Sequence, residues 1–384
     1  MKKKLPFFLA SLLCVSCLSG CFPTGEPVNV STPSLSSDQK QTDITKTPTS
    51  IKKQLEDNLF VDANISVPAN ANWKNYQTKL KNLDVNLVMQ QFFSEKKVKD
   101  RQERPDTFDK RLNRTVINGT DGSMLLVQPG GIRFEEKNFT DFYYSYYIHD
   151  LYTSHPENVA KNFQKQTLDN VNKEQAVSLV KEKAKALGVG IEENPIVYAL
   201  DVDSLNAQTD YKTMKTPKGG ELHHWTKEDQ AYAVTFRVLQ DGLPITRTGY
   251  ITSTNGVAIG TRLLAVVGTK GLLSFSIESI YEVCDTPQPV NSLISLDTVL
   301  ERIKTKYKDV ILTDPVTVQQ INLEYVPVTV NLKEQKYALS PMWVCLTEQT
   351  TTTKDEKGEV RSTGQFPIYM DAVTGKEMEI SGLS

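Results

Sequence analysis

Histidine occurs four times in 384 residues, cysteine five times and tryptophan three. A zinc site needs three or four protein ligands, and no His/Cys pair here has the spacing of a metal site, so no metal centre is expected. The chain also lacks Gly-x-Ser-x-Gly, the Walker A glycines and the dinucleotide glycine motif, which removes the common hydrolase, nucleotide-triphosphate and Rossmann signatures. An excess of positive charge is missing too: Lys and Arg total 44 against 46 Asp and Glu, a formal charge of −2. Phosphate neutralisation needs a clustered basic face, so nucleic acid is an unsuitable partner. After residue 18 there is no apolar run near the roughly 20 residues that a membrane span requires.

What is present begins with a leader. Lys2, Lys3 and Lys4 form a basic segment, and Leu5 to Leu18 an apolar one that is too short for a permanent span. Ser19 and Gly20 then precede Cys21. Leu18-Ser19-Gly20-Cys21 resembles the lipobox of bacterial lipoproteins. That resemblance implies cleavage between Gly20 and Cys21, a diacylglyceryl group on the Cys21 sulfur, and a lipid anchor at the extracytoplasmic face of the cell membrane. Two acyl chains hold where one is marginal, each buried methylene contributing about 0.8 kcal/mol. Removing Lys2, Lys3 and Lys4 from the 44 basic residues leaves 41 against 46 acidic ones, a mature charge of −5. Cys14 and Cys17 leave with the leader. Cys284 and Cys345 remain, either to form a disulfide outside the cell or to be buried as small apolar side chains.

The division expected is a leader over 1–20, a flexible tether over 21–57, and folded regions over 58–155, 156–285 and 286–384. The tether is rich in Ser, Thr, Pro, Asp, Lys and Gln, and a segment of that composition buries too little apolar surface to offset its ordering entropy. In the first region Asp84 reads as the N-cap of a helix carrying Val85, Val88, Met89 and Phe92. Strands over 115–118, 124–128 and 132–135 follow, with turns at Gly119-Thr120-Asp121-Gly122 and Gly130-Gly131. In the second, Asn172 caps a helix with the apolar stripe Val177, Val180, Ala184 and Leu187, closed by Gly188. Strands at 195–202 and 231–239 come next, then hairpins turning at Asp241-Gly242 and at Gly268 to Gly271. In the third, Ser295 starts a helix whose apolar positions are Leu296, Val299, Leu300, Ile303 and Tyr307. Strands at 316–328, 336–346 and 365–370 follow, with a charged, threonine-rich loop over 350–364. A helix followed by an antiparallel meander, twice over, gives the fold class: α+β, in tandem modules with one helix packed on each curved sheet.

Tyr337-Ala338-Leu339-Ser340-Pro341-Met342-Trp343-Val344, with Ile368-Tyr369-Met370-Asp371-Ala372-Val373-Thr374-Gly375-Lys376, resembles the closing strands of PepSY-like modules. The second region, with Asp241-Gly242-Leu243-Pro244 between strands, resembles a divergent copy. Tandem modules of this kind behind a leader occur in extracytoplasmic regulators of cell-wall sensor kinases, in spore-germination proteins and in lipoproteins of Firmicutes. The resemblance implies a binding or regulatory role and carries over no catalytic residue.

Four constellations invite chemistry. Phe142, Tyr144 and Tyr146 would share one face of a strand over 142–149, either as a platform for stacking on sugar or peptide, or as one side of a strand buried between two layers. Asp201 and Asp203 would share a strand face, as paired carboxylates for glycoside chemistry or calcium, or as solvated strand-end acids. His223 and His224, adjacent after Gly219-Gly220, would point opposite ways and not ligate one ion. Ser178 and Lys181 match Ser-x-x-Lys without its companion motifs. No catalytic residue, metal or cofactor is therefore assigned. The function expected is a non-enzymatic lipoprotein that binds a protein or peptide partner in the envelope. Carbohydrate or peptidoglycan binding is the alternative, and a transporter's solute-binding lipoprotein the third.

Overall fold

Two eight-stranded antiparallel-rich sheets carry the fold of the computed structural model. The structure describes residues 47–69, 71–105, 113–142, 144–152, 156–215, 219–247, 250–253, 256–355 and 358–379. The chain is mixed α+β and mostly sheet, as expected, and both sheets are open.

The first, a meander sheet, runs in the order Val98–Pro105, Asn113–Gly119, Met124–Gln128, Gly131–Glu135, Gly271–Glu278, Arg262–Gly268, Ala231–Phe236 and Ile196–Leu200. Every pairing in it is antiparallel. The turn residues identified in the sequence account for its local hairpins. Asp121 Oδ1 accepts from the Ser123 backbone and hydroxyl (3.0 and 2.6 Å), and Gly122 takes the left-handed φ of 87° that closes the turn.

The second, a long-strand sheet, is ordered Ser50–Glu56, Leu59–Ser66, Val316–Asn331, Lys336–Asp355, Lys74–Leu80 and Tyr281–Val283, with Gln288–Pro289 also paired to Lys74–Leu80. Gly358–Asp371 pairs with the distal part of Lys336–Asp355, whose first four residues pair instead with 76–79. The sheet is antiparallel except where Leu59–Ser66 lies parallel to Val316–Asn331. Strands of the first expected region thus complete a sheet built mainly by the third, and Gly131–Glu135 joins that first region to the second. Gly130 links the two sheets. Its N–H donates to Lys81 O and its carbonyl accepts from Ile280 N, both at 2.7 Å, and a Cβ there would meet Leu80 Cδ2 at 2.8 Å.

Three capped helices pack between these layers. Asp84 Oδ1 accepts from Asn86 N to start Val85–Phe92, Asn172 Oδ1 from Gln175 N to start Lys173–Ala186, and Ser295 Oγ from Thr298 N to start Leu296–Tyr307. Ala176, Val180 and Ala184 of the second helix are buried, as are Leu296, Val299, Leu300 and Ile303 of the third. One apolar core joins these side chains to the facing sides of both sheets. A second, aromatic core covers the opposite face of the meander sheet.

Three expectations give way. The described residues of 142–149 form no strand: Lys137–Asp141 and Tyr144–Tyr147 are short helices, followed by a 3-10 turn over His149–Tyr152. Burial falls on Tyr144, Tyr147 and Ile148, the i, i+3, i+4 spacing of a helix. In a run so uniformly apolar either period fits, and packing against the sheet selects the helical one. The end of the tether also differs, because Ser50–Glu56 forms an edge strand against Leu59–Ser66. The expected loop over 350–364 is a two-stranded arm instead, Thr350 to Asp355 pairing with Gly358 to Thr363. Threonine is β-branched and suits a pleated strand, a preference that the charged composition hides.

Candidate partner-binding groove

Ile196–Leu200 ends the meander sheet. It pairs with Ala231–Phe236 on one side, and among the described residues no strand pairs with its other edge. Pro195, which has no N–H to offer a ladder, immediately precedes it. Residues 163–168 pass around the sheet margin: Phe163 lies in the aromatic core, and Leu168 packs on the other core with its N–H donating to Tyr232 Oη at 2.8 Å. Lys165 fixes this crossing near the carboxyl end of the edge strand, at 2.9 Å from Asp201 and 2.8 Å from Asp203.

Between the amino-terminal half of that edge and the helix Lys173–Ala186 lies an open groove of about 720 Å³. The helix supplies Lys173, Glu174, Val177, Ser178 and Lys181, positions one turn apart and beside the buried stripe. Asn194, Pro195, Ile196 and Val197 form the facing wall, and Gln166 closes one end. Val177, which the sequence places in the core stripe, is only half-buried, and Ile196 is 42% exposed. The groove therefore has an apolar floor and a charged rim. Its Ser178 and Lys181 are not coupled to each other: Ser178 Oγ donates to Glu182 Oε1 and Lys181 Nζ to Glu193 Oε1, each at 3.4 Å. A serine nucleophile needs its base within about 2.6–3.2 Å, whereas here Ser178 and Lys181 each turn to a glutamate.

The other constellations are structural. Tyr144 is buried, with its hydroxyl donating to Asp229 O, and burial pushes its pKa well above the ordinary tyrosine range. Phe142 stacks on His223 at 3.5 Å between ring centroids, and Trp225 lies edge-on to Tyr144 and Tyr147 at 4.8 and 5.2 Å. Only Tyr146 of the three expected stacking residues is exposed, so no platform of Phe142, Tyr144 and Tyr146 forms. His223 Nε2 lies 2.9 Å from Asp229 Oδ2, while His224 stacks on Tyr211. The two histidines diverge, and among the described residues no three His, Cys, Asp or Glu groups gather to hold a metal.

Asp201 is the N-cap of the short helix Val202–Ala207, which puts Asp203 on its first turn; the two do not share a strand face. The Asp201 side chain is fully buried, accepting from Ser204 N (3.2 Å) and Ser204 Oγ (2.6 Å) as well as from Lys165. Burial raises its pKa, but the Ser204 and Lys165 hydrogen bonds outweigh that and hold it below the ordinary carboxylate range. Both carboxylates are tied to one lysine.

Cys284 and Cys345 are free thiols, the first exposed and the second buried. Cys284 N donates to Gln77 O, Gln77 pairs with Ala338, and Cys345 lies seven residues further along that same strand. At roughly 3.3 Å per residue that is about 23 Å, beyond the ~7 Å reach of a disulfide. Burial pushes the Cys345 thiol up to about 12. Gly20 and Cys21 lie outside the described residues.

No family model matches the sequence, and no curated protein matches it. A crystal structure of an uncharacterized protein from Eubacterium rectale ATCC 33656, determined at 1.45 Å resolution, is similar in fold. The superposition has a TM-score of 0.63 at 18% identity, over 90% of this chain and 96% of that one, so the two share an architecture.

Proposed function

We propose that this protein is a lipoprotein anchored through Cys21 at the extracytoplasmic face of the cell membrane. It binds an extended segment of an envelope protein, in a regulatory or accessory role and without covalent chemistry. The observation that carries this reading is the coincidence of a strand edge unpaired among the described residues with an open groove along it. A segment laid beside Ile196–Leu200 gains main-chain hydrogen bonds from the edge. Its alternate side chains enter the groove, where Val177, Ile196 and Val197 accept apolar groups and Lys173 and Lys181 favour acidic ones.

We further read the chain from Asn172 onward as two PepSY-like modules. Support comes from the two side-chain-capped helices that each precede antiparallel strands, and from the closing turn. There Asp371 Oδ1 accepts from Val373 N, Thr374 N and Thr374 Oγ1, and Gly375 adopts a φ of 70°.

A photo-crosslinking residue at Ile196 in the full-length protein, in living cells, should capture one defined envelope partner. The same residue at exposed Val257 serves as the control. Lys173→Glu and Lys181→Glu, each combined with the crosslinker at Ile196, should weaken that capture at least about tenfold while changing the melting temperature little, since both lysines line the groove and neither belongs to the apolar core. Capture that is equal at both positions, or indifferent to the two substitutions, would overturn the groove. Cys21→Ser should release the protein from the membrane fraction; retention would point to another anchor.

A further inference from the structure

The seam between the two sheets contains a charged cluster whose ion pairs are unequally shared. Ile245 bridges to Tyr325 and Thr246 N donates to Tyr325 O at 2.8 Å, which brings Arg247 alongside the long strand Val316–Asn331. In that strand Glu324 is almost completely buried, and its carboxylate is bonded to Arg237 Nη2. Glu192, half-exposed, lies 3.6 Å from Arg237 Nε. Both acids of the cluster are therefore engaged by Arg237.

Arg247 is left over. Its Nε is buried without a hydrogen-bond partner, and among the described residues no carboxylate comes within ion-pairing distance of its guanidinium. Arg237 and Arg262 also have buried, unbonded Nε atoms, but each sets a terminal nitrogen on a carboxylate, Glu324 and Glu278 respectively. The charged and titratable groups around Arg247 are Arg237, Glu192, Tyr198 and Glu324. Burial first, and the like charge of Arg237 second, lower its pKa from the ordinary arginine value.

Glu192, Tyr198 and Glu324 oppose that shift from a distance, but sequestering a guanidinium with no carboxylate in direct contact costs stability. The residue keeps partial exposure, so a solute can reach it. The fork of Arg247, which neither Glu324 nor Glu192 engages, matches the paired oxygens of a carboxylate or phosphate, and the charge of Arg237 beside it adds to the attraction. We infer that Arg247, with Arg237 beside it, is a recognition site for a compact oxyanion carried by a bound molecule: a carboxylate or a phosphate.

The test uses the soluble protein without its leader and three probes: a short peptide with a free C-terminal carboxylate, its C-terminal amide carrying one Glu, and inorganic phosphate. At millimolar concentration at least one should raise the wild-type melting temperature by about 3 °C. Which probe acts identifies the source of the oxyanion. The shift should vanish in Arg247→Met and shrink in Arg247→Lys, which keeps the charge and loses the fork. Arg247→Met should itself melt no lower than the wild type. The inference fails if no probe stabilises the wild type, or if the shift survives in Arg247→Met. It fails equally if Arg247→Met melts more than about 5 °C lower, which would make Arg247 a member of the fold's own ion network.

Discussion

In the meander sheet three of the seven neighbouring pairs are joined by short turns: Gly119 to Met124, Gln128 to Gly131 and Gly268 to Gly271 each return the chain directly to its partner. In the long-strand sheet Leu59–Ser66 finds Val316–Asn331 across most of the chain, and Lys74–Leu80 finds Lys336–Asp355 in the same way. The first kind of pairing, which the long-strand sheet also contains at 56–59, 331–336 and 355–358, is specified by local turn chemistry and alternation. The second depends on which apolar faces meet once the chain has collapsed, and a single sequence does not carry that information in any local window. Both sheets nevertheless contribute to one core, in which Phe275 of the meander and Trp343 of the long strand are both fully buried.

That shared core is the part of the comparison most easily broken. Trp343→Ala and Phe275→Ala should each cost about 3–5 kcal/mol. Urea denaturation followed by tryptophan fluorescence and by circular dichroism should report a single coincident transition in both variants. Two separated transitions, with one sheet surviving the other, would show that the sheets fold as independent units.

A smaller effect is expected at the margin of the meander sheet. Asp201 is held ionised by Ser204 and Lys165, and Asp201→Asn should cost about 2 kcal/mol at neutral pH. Half of Lys165 is exposed, so its share of that figure is screened. The folded carboxylate titrates below its unfolded value of about 3.9. Its contribution is therefore complete above that value and is lost as pH falls through the folded pKa. The gap in melting temperature between wild type and Asp201→Asn should hold from pH 7 to 5 and narrow towards pH 3; a gap that widens on acidification would reverse the assignment.

The smallest change should come from the arm of the long-strand sheet. Thr350 Oγ1 meets Thr363 Oγ1 at 3.1 Å, but Thr351, Thr352, Arg361 and Ser362 are exposed. Replacing 351–362 by Asn-Gly, a two-residue hairpin turn, should alter stability by less than about 1 kcal/mol. A larger loss in thermal melting would mean that the arm packs on the body.

The same contrast explains what could be read in advance. Asp84, Asn172 and Ser295 were legible as helix starts because a cap is a property of four consecutive residues, and each makes the hydrogen bond that its side chain suggests. The turn at Asp371 was legible for the same reason. Phe142 to His149 was not, because a run in which almost every residue is apolar contains both periods. Ser50–Glu56 was obscured by its lysines, which suit an exposed edge strand as well as a tether. The groove gave no signal, since it exists only where a helix and a sheet margin from separate stretches lie side by side. Arg247 gave none either: an arginine's lack of a counter-ion is visible only in three dimensions.

The parallel pairing of Leu59–Ser66 with Val316–Asn331 also fixes an order of events. Asn58 Nδ2 donates to Leu312 O at 2.8 Å across 254 residues, and Val316 N returns a hydrogen bond to Asn58 O at the same distance. The first strands to be synthesised therefore have no complete sheet to join until more than four-fifths of the chain exists. Until then the apolar face of Leu59, Val61, Ala63 and Ile65, all buried in the finished protein, stays without its cover. Such distant closure slows folding. It also makes the finished sheet a record of completion, because a chain cut short before residue 316 leaves one edge of Leu59–Ser66 without its partner strand.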